Sequence, residues 1–148
     1  MIIMGKVIEI GIGNNKGIQI QNVNKVEASK GKGLINDRKF RENNHKKSQV
    51  TLIEIENIKH FNNISKTNIF PVDFRRNIIT ENIRLNNLVG KEFFVGKVKL
   101  KAHDLCRPCI YLQDKLKLNN FVKELLHKGG LRCEILTSGT ISVGDIIK

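Results

Sequence analysis

The chain has few of the residues that would divide it into domains or cross-link it. Its 148 residues include no tryptophan, one tyrosine, two prolines and three cysteines. Three cysteines leave at least one unpaired, which argues against a disulfide scaffold. Because no proline-rich or serine-rich stretch forms a linker, we expect one domain over residues 1–148.

Long apolar runs are also missing. The apolar stretch at residues 1–10 is interrupted by Lys6 and Glu9, and no basic region precedes it. A membrane-spanning helix needs about 20 apolar residues, and an export signal begins with basic residues. We therefore expect a cytoplasmic protein with reduced thiols and no membrane association.

Acidic residues are outnumbered by basic ones. The 26 Lys and Arg against 14 Asp and Glu give a formal net charge of +12, and the pI is about 9.9. Such a surface attracts polyanions, including nucleic acids and phosphorylated small molecules. The few aromatics do not cluster with basic residues as a stacking platform for single strands requires. We do not expect a nucleic-acid partner, although a basic nucleic-acid-binding β-barrel stays an alternative.

Short β-forming segments separated by glycines indicate a mainly β fold. Strands of this length with glycine corners are typical of a barrel or sandwich rather than a parallel sheet. The polar, charged segment 34–47 predicts an irregular loop with a functional role. The predicted strands are residues 1–10, 23–28, 48–53, 77–80, 92–95 and 97–102.

Two helices and a C-terminal hairpin complete the predicted elements. Apolar residues at helical spacing predict a short helix over 53–61 and a longer one over 112–126, which ends at Gly129-Gly130. Residues 131–137 and 140–143 resemble a hairpin around Ser138-Gly139, and a last short strand follows at 146–147.

The spacing of Cys106 and Cys109 has several interpretations. A zinc site needs two more ligands, and Cys133 with a histidine supplies no second paired motif. A thioredoxin-like site needs a βαβ context that the preceding strands do not provide, so a thiol-disulfide protein using Cys106 and Cys109 is an alternative. Both thiols could simply be buried, but Arg107 and a helix start at Pro108 favour a thiolate.

Two pairs of charged residues precede the cysteines. Arg75 and Arg76 stand side by side, and paired guanidinium groups suit phosphate or another oxyanion. Asp37 and Arg38 lie in the predicted loop, where a surface ion pair would contribute little stability. Taken alone, each pair would be assigned to the solvated surface, and only its place in a larger pattern favours a function.

That larger pattern resembles the MOSC domain, which occurs at the C-terminus of eukaryotic molybdenum cofactor sulfurases and as small stand-alone bacterial proteins. Gly-Leu-Ile-Asn-Asp-Arg at 33–38 is similar to the family's Gly-Leu-x-Gly-Asp-Arg loop, and Asn36 stands where a glycine is usual. Asparagine tolerates the left-handed backbone that such a glycine adopts. The other matching segments follow in the family's order at 49–53, 76–78, 85–96, 106–109, 129–130 and 139–145.

The resemblance implies a β-barrel with a few peripheral helices and a site built around Cys109. This cysteine would bind the molybdenum of a pterin cofactor (molybdopterin) or carry sulfur as a persulfide, since a thiolate suits either role. Arginine forks would bind the cofactor's phosphate or the oxo groups on molybdenum. The expected cofactor-binding residues are Asp37, Arg38, Arg75, Arg76, Asn77 and Arg132.

Within that set, Asp37 is expected to orient an arginine, and Asn77 either donates to the pterin or ties its own turn together. Cys133 is expected to pack within a strand. The chain has no room for the pyridoxal-phosphate desulfurase domain of the large sulfurases, so we expect no pyridoxal phosphate site. The resemblance leaves open whether the protein carries cofactor, exchanging with a cysteine desulfurase or a molybdoenzyme apoprotein, or itself reduces N-hydroxylated compounds.

Overall fold

A computed structural model describes residues 4–14, 20–107, 114 and 127–148. These residues form eleven strands and the α-helix α1 (Ile55–Ser65). They also form two 3₁₀-helices, Pro71–Phe74 and Leu85–Leu88. The strands are β1 (Gly5–Ile12), β2 (Gln21–Val23), β3 (Lys25–Ser29), β4 (Gly33–Leu34), β5 (Val50–Glu54), β6 (Ile78–Glu81), β7 (Glu92–Val95), β8 (Val98–Leu105), β9 (Leu131–Ile135), β10 (Gly139–Ser142) and β11 (Ile146–Ile147).

Seven of the strands close into a barrel. Their order is β11-β7-β8-β9-β5-β6-β1, and pairing between β1 and β11 completes the ring. Strand β2 pairs with β1 beside the ring, and β10, β3 and β4 form a separate three-stranded sheet. Among the described strands, only β5 and β6 run parallel. The predicted mainly β, barrel-like fold is confirmed, whereas the expectation of a single domain stays a prediction.

Strand β5 is buried on both faces because the barrel interior lies on one side and α1 on the other. Leu52 belongs to the cluster inside the barrel, whereas Ile53 belongs to the cluster under the helix. Successive side chains of a strand point to opposite faces, so a continuous apolar run is what this position requires. Cys133 on β9 is fully buried in the interior cluster, which confirms its predicted packing role.

Helix α1 covers the outside of the barrel with one apolar face. Ile55, Ile58 and Phe61 are buried at helical spacing, and the Phe61 ring meets that of Phe74 edge-to-face at 5.8 Å. The helix ends at Lys66, which adopts the left-handed conformation. The predicted helix over 53–61 is therefore confirmed, and it starts two residues later and runs further.

The predicted C-terminal hairpin is wrong. Strand β9 pairs with β8 on one side and β5 on the other, so neither of its edges is available to β10. Strand β10 instead pairs with β3, with Ile141 opposite Val26. The local sequence pattern marks both strands and the turn between them, but barrel closure decides their partners.

The remaining predicted elements have different outcomes. The helix predicted over 112–126 lies outside the described residues except for residue 114, which is helical. The functional loop predicted over 34–47 consists mainly of turns, and the Asn44 side-chain amide holds it by donating to the carbonyls of Lys32 and Lys39, at 2.7 Å each. No described helix is both long and apolar enough to cross a membrane.

We predict that Gly130→Ala strongly destabilises the protein. Gly130 has a φ of 101°, and an added Cβ would collide with the backbone carbonyl of Leu52. Gly144 has a φ of 95° but open space around it, so Gly144→Ala is a matched control. We expect the control to cost about 1–3 kcal/mol from backbone strain and Gly130→Ala to cost on the order of 4 kcal/mol or more. Equal midpoints in urea unfolding would contradict this explanation.

Candidate functional site

Segments that are distant in sequence meet at Arg76, which directly precedes the Asn77–β6 segment. Its Nε donates to the carbonyl of Gly129 at 2.8 Å, and its Nη2 donates to the carbonyl of Arg107 at 3.0 Å. The N–H of Cys106 donates to the carbonyl of Gly130 at 2.7 Å. Arg76 therefore holds together the end of β8 and the approach to β9. This predicted site residue lies beside Cys106, and its role in cofactor binding stays a prediction.

The predicted Asp-Arg loop is attached to the end of β1. One carboxylate oxygen of Asp37 accepts from the N–H of Gly13 at 3.1 Å, and the other accepts from the N–H of Lys39 at 3.3 Å. The N–H of Arg38 donates back to the carbonyl of Gly13. Asn36 has a φ of 71°, so its predicted left-handed conformation is confirmed. Asp37 thus fixes the loop's backbone, and its role towards a cofactor stays a prediction.

Asn77 ties three strands together. Its Oδ1 accepts from the N–H of Thr51 at 3.1 Å and from the Thr51 hydroxyl at 3.2 Å. Its Nδ2 donates to the carbonyl of Gly11 at 3.1 Å, and its own N–H donates to the Thr51 oxygen at 3.0 Å. The side chain is buried. Of the two roles expected from the sequence, the structure shows the tying role, and contact with a pterin stays a prediction.

Lys39 is a site residue that the sequence analysis missed. Burial lowers the pKa of Lys39, and the charges of Arg76 and Arg132 lower it further, while Cys106 and Asp37 oppose the shift. Arg76 and Arg132 thus lie close enough to Lys39 for their charges to act on it, and we call these three residues the basic cluster. The sequence could have indicated Lys39 as a site residue, because it directly follows Arg38 in the loop motif.

Cys106 lies next to the basic cluster and is 5% exposed. Burial raises the pKa of the Cys106 thiol, whereas the charges of the basic cluster lower it. Burial, and then the proximity of Cys106, also raises the pKa of Cys133 far above its usual value. The thiol of Cys106 is therefore buried and subject to the charges of the basic cluster. Cys109, which the sequence analysis favoured as catalytic residue and metal ligand, lies outside the described residues.

The two remaining predicted arginines are Arg38 and Arg75. The Nη1 of Arg38 is buried and has no hydrogen-bond partner among the residues that the structure describes. A buried charged donor without a partner is costly, so this atom is suited to receive an anionic ligand. Arg75 adopts a left-handed φ of 64° where the 3₁₀-helix at Pro71–Phe74 ends. The role of Arg75 in binding stays a prediction.

The described part of the chain contains no cluster of metal-ligand side chains. Over residues 4–14, 20–107, 114 and 127–148, no group of three or more His, Cys, Asp or Glu side chains is arranged to hold an ion. The metal-ligand role of Cys109 is untouched by that observation and stays a prediction. The described groups are cations and one buried thiol, and this combination favours an anion.

The fold and site together define a closed barrel in which basic side chains lie beside Cys106. The family model for the MOSC domain matches residues 36–148, and the chain belongs to the MOSC domain family. No curated protein matches the chain.

Crystal structures of bacterial proteins share the fold. The YuaD protein from Bacillus subtilis superposes with a TM-score of 0.81 at 18% identity, covering 98% of this chain and 94% of its own. YiiM from Geobacillus stearothermophilus gives 0.78 at 17% identity, covering 97% and 73%. YiiM from Escherichia coli gives 0.70 at 14% identity, covering 97% and 68%. At these identities the likeness establishes the fold alone.

The MOSC family is associated with the molybdenum cofactor, and the described residues fit the anionic part of that group. The unpartnered buried Nη1 of Arg38 and the cations of the basic cluster offer donors and positive charge to a phosphate or oxo group. A phosphate accepts several hydrogen bonds from such donors. The chemistry of the described donor set is therefore compatible with the cofactor.

We predict that Asn77→Ala destabilises the protein by about 3 kcal/mol, because it leaves the buried Thr51 donors and the Gly11 carbonyl without their partner. Asn63 is exposed on α1, so Asn63→Ala is the control, with an expected change within about 0.5 kcal/mol. Urea unfolding monitored by circular dichroism measures both. An Asn77→Ala variant as stable as the control would show that the network is dispensable.

Proposed function

We propose that this protein binds the molybdenum cofactor or a precursor of it, with the anionic groups on the basic side chains and the reactive centre at Cys109. The observation that carries the proposal is the buried Nη1 of Arg38, which has no partner among the described residues and belongs to the loop that bears Lys39. A free buried guanidinium donor in a family associated with a phosphate-bearing cofactor is best explained by an anionic ligand.

The residues contribute in different ways. Arg38 supplies a donor, Nη1, that has no partner in the described part of the chain. Arg76 has already committed Nε and Nη2 to backbone carbonyls, so its main contribution is its charge and the alignment of the two segments that it joins. Lys39 adds a second, partly buried basic group. Asp37 and Asn77 hold the backbone that carries these cations, through their hydrogen bonds to Gly13 and to Thr51.

Cys109 supplies the soft ligand or the sulfur carrier. A thiolate binds a soft-tolerant metal and also holds sulfane sulfur, so carriage, sulfuration and catalysis all require the same side chain. When bound, the cofactor's molybdenum supplies two-electron redox chemistry, such as the reduction of N-hydroxylated compounds. The protein's own residues bind and orient the cofactor.

A protein that carries or delivers the cofactor needs one partner that supplies sulfur and another that receives the cofactor. A cysteine desulfurase would donate sulfur to Cys109, and a molybdoenzyme apoprotein would receive the sulfurated cofactor. The basic residues around the site extend outward to exposed positions such as Arg107 and Arg132, so an acidic surface on the partner would favour docking.

We predict that Arg38→Met weakens binding of the isolated cofactor. A hydrogen bond to a charged group contributes about 1.5–3 kcal/mol, so we expect a loss of roughly 10- to 150-fold in affinity. Lys46 is exposed in the same loop, and Lys46→Met removes the same charge as a control. Anaerobic equilibrium titration, followed by pterin fluorescence, measures both variants against the unmodified protein.

Two results would overturn the proposal. One is no binding of cofactor by the unmodified, folded protein. The other is an Arg38→Met affinity equal to that of Lys46→Met. Oligonucleotide binding that falls steeply with salt, without any cofactor binding, would replace the proposal with the nucleic-acid alternative.

A further inference from the structure

A surface groove of about 610 Å³ lies at the end of the barrel opposite the basic cluster. Lys97, which lines the groove, directly precedes the first residue of β8, whereas Cys106 directly follows the last. The 8 residues of this strand span roughly 25 Å. A volume of this size is typical of ligand-binding clefts, and the groove is separate from the site proposed for the cofactor.

One side of the groove is the free edge of β10. Among the described strands, β10 pairs with β3 alone. The N–H of Val143, the residue after β10, donates to the carbonyl of Asn24 on the β3 side. Residues of an antiparallel strand alternate between those that bond to the partner strand and those that do not. The backbone groups of Thr140 and Ser142 therefore face away from β3.

The turn after β10 shows what this free edge faces. The N–H of Ser142 donates to Oδ2 of Asp145 at 2.8 Å, and its carbonyl accepts from the N–H of Asp145 at 3.0 Å. The Asp145 carboxylate lies against Gly96, where an added Cβ would collide with it. The N–H and C=O of Thr140 point to the same side as those of Ser142, and neither is bonded within the described part of the chain.

A free N–H beside a free C=O on a strand edge matches the main chain of an extended peptide, which offers both an acceptor and a donor. Phosphate groups accept hydrogen bonds but have none to donate to the carbonyl. The rest of the lining suits the alternating side chains of such a peptide. Met4 and Ile146 supply apolar surface, and Lys97 and Lys148 are exposed lysines. Asp145, a carboxylate in this lining, is already engaged by the N–H of Ser142.

We propose that the groove binds an extended acidic peptide segment of another protein, which adds to the free edge of β10 as a further strand. The main chain of the peptide bonds to Thr140, its acidic side chains lie beside Lys97 and Lys148, and its apolar side chains contact the remaining surface. The pairing is short because the groups of Ser142 are bonded within the turn. The exposed charges therefore contribute, and binding weakens as salt is added. This interaction goes beyond the proposed cofactor function and does not depend on it.

The test uses fluorescently labelled peptides and the unmodified protein at low salt, with binding measured by fluorescence anisotropy. In the acidic peptide, glutamate alternates with valine, and in the basic peptide lysine replaces glutamate. A third peptide is the acidic one methylated on its backbone nitrogens, which removes the donors that a strand needs. We expect the acidic peptide to bind, the basic peptide not to bind, and methylation to weaken binding by about 10-fold or more.

Substitutions in the groove separate the main-chain contact from the charges. Thr140→Pro removes the free N–H but spares the pairing with β3, and proline is tolerated at such an edge; we expect binding to weaken roughly 3- to 10-fold. Thr140→Val, which removes only the hydroxyl that contacts Glu27, is the matched control and should bind like the unmodified protein. Lys97→Met should weaken binding roughly 2- to 5-fold, whereas Lys46→Met should leave it unchanged.

Four results would overturn the proposal. Two are no binding of the acidic peptide by the folded, unmodified protein and equal binding of its methylated form. The third is a loss of binding in Arg38→Met but not in Lys97→Met, which would assign the peptide to the basic cluster. The fourth is tighter binding of a single-stranded oligonucleotide that is lost in Lys97→Met, which would assign the groove to nucleic acid. The first two results need no variant, so a folding defect in Thr140→Pro does not obscure them.

Discussion

The buried amide of Asn77 is the contact on which the geometry of the site depends. It bonds to Thr51 on β5 and to Gly11 on β1, immediately before its own strand β6 begins. Each of these buried polar groups would cost about 1–3 kcal/mol if left unpaired, so the three strands meet in one arrangement. The residue before it, Arg76, is thereby aimed at the carbonyls of Gly129 and Arg107. The hydrogen bonds of Asn77 thus hold the strands together, and they also position the neighbouring Arg76 in the site.

The site concentrates positive charge where water is partly excluded. Burial and mutual repulsion both disfavour the charged form of Lys39 next to Arg76, and the Arg38 donor lacks a described partner. Neither feature stabilises the fold. Both become favourable when an anion enters, because the anion supplies the missing acceptor and neutralises the repulsion. Both features therefore support the proposed binding of an anion.

The sequence predicted the fold well and the site in part. Short apolar segments bounded by glycine located most of the strands, and the ordered motifs indicated the MOSC family. Local chemistry also predicted the left-handed Asn36. The partner of β10 could not be predicted in this way, because it depends on both edges of β9 being occupied within a closed barrel. Pairing between distant strands is a property of the whole ring rather than of the turn between neighbours.

The same limit explains why Lys39 was missed and why the surroundings of Cys106 were not predicted. Both residues are affected by burial and by charges from distant segments, and neither effect is visible in one stretch of sequence. Cys109, by contrast, was selected through the family motif, and it is the residue on which the central claim depends. Its chemical role requires a direct measurement on the protein.

That measurement is the molybdenum and pterin content of protein purified anaerobically from a host that makes the cofactor, compared between the unmodified chain and Cys109→Ser. Our account predicts stoichiometric cofactor in the unmodified protein and its loss from the folded variant. Full molybdenum and pterin content in Cys109→Ser would remove this cysteine from the mechanism. Absence of cofactor from both, with the host's supply confirmed, would contradict the proposed function itself.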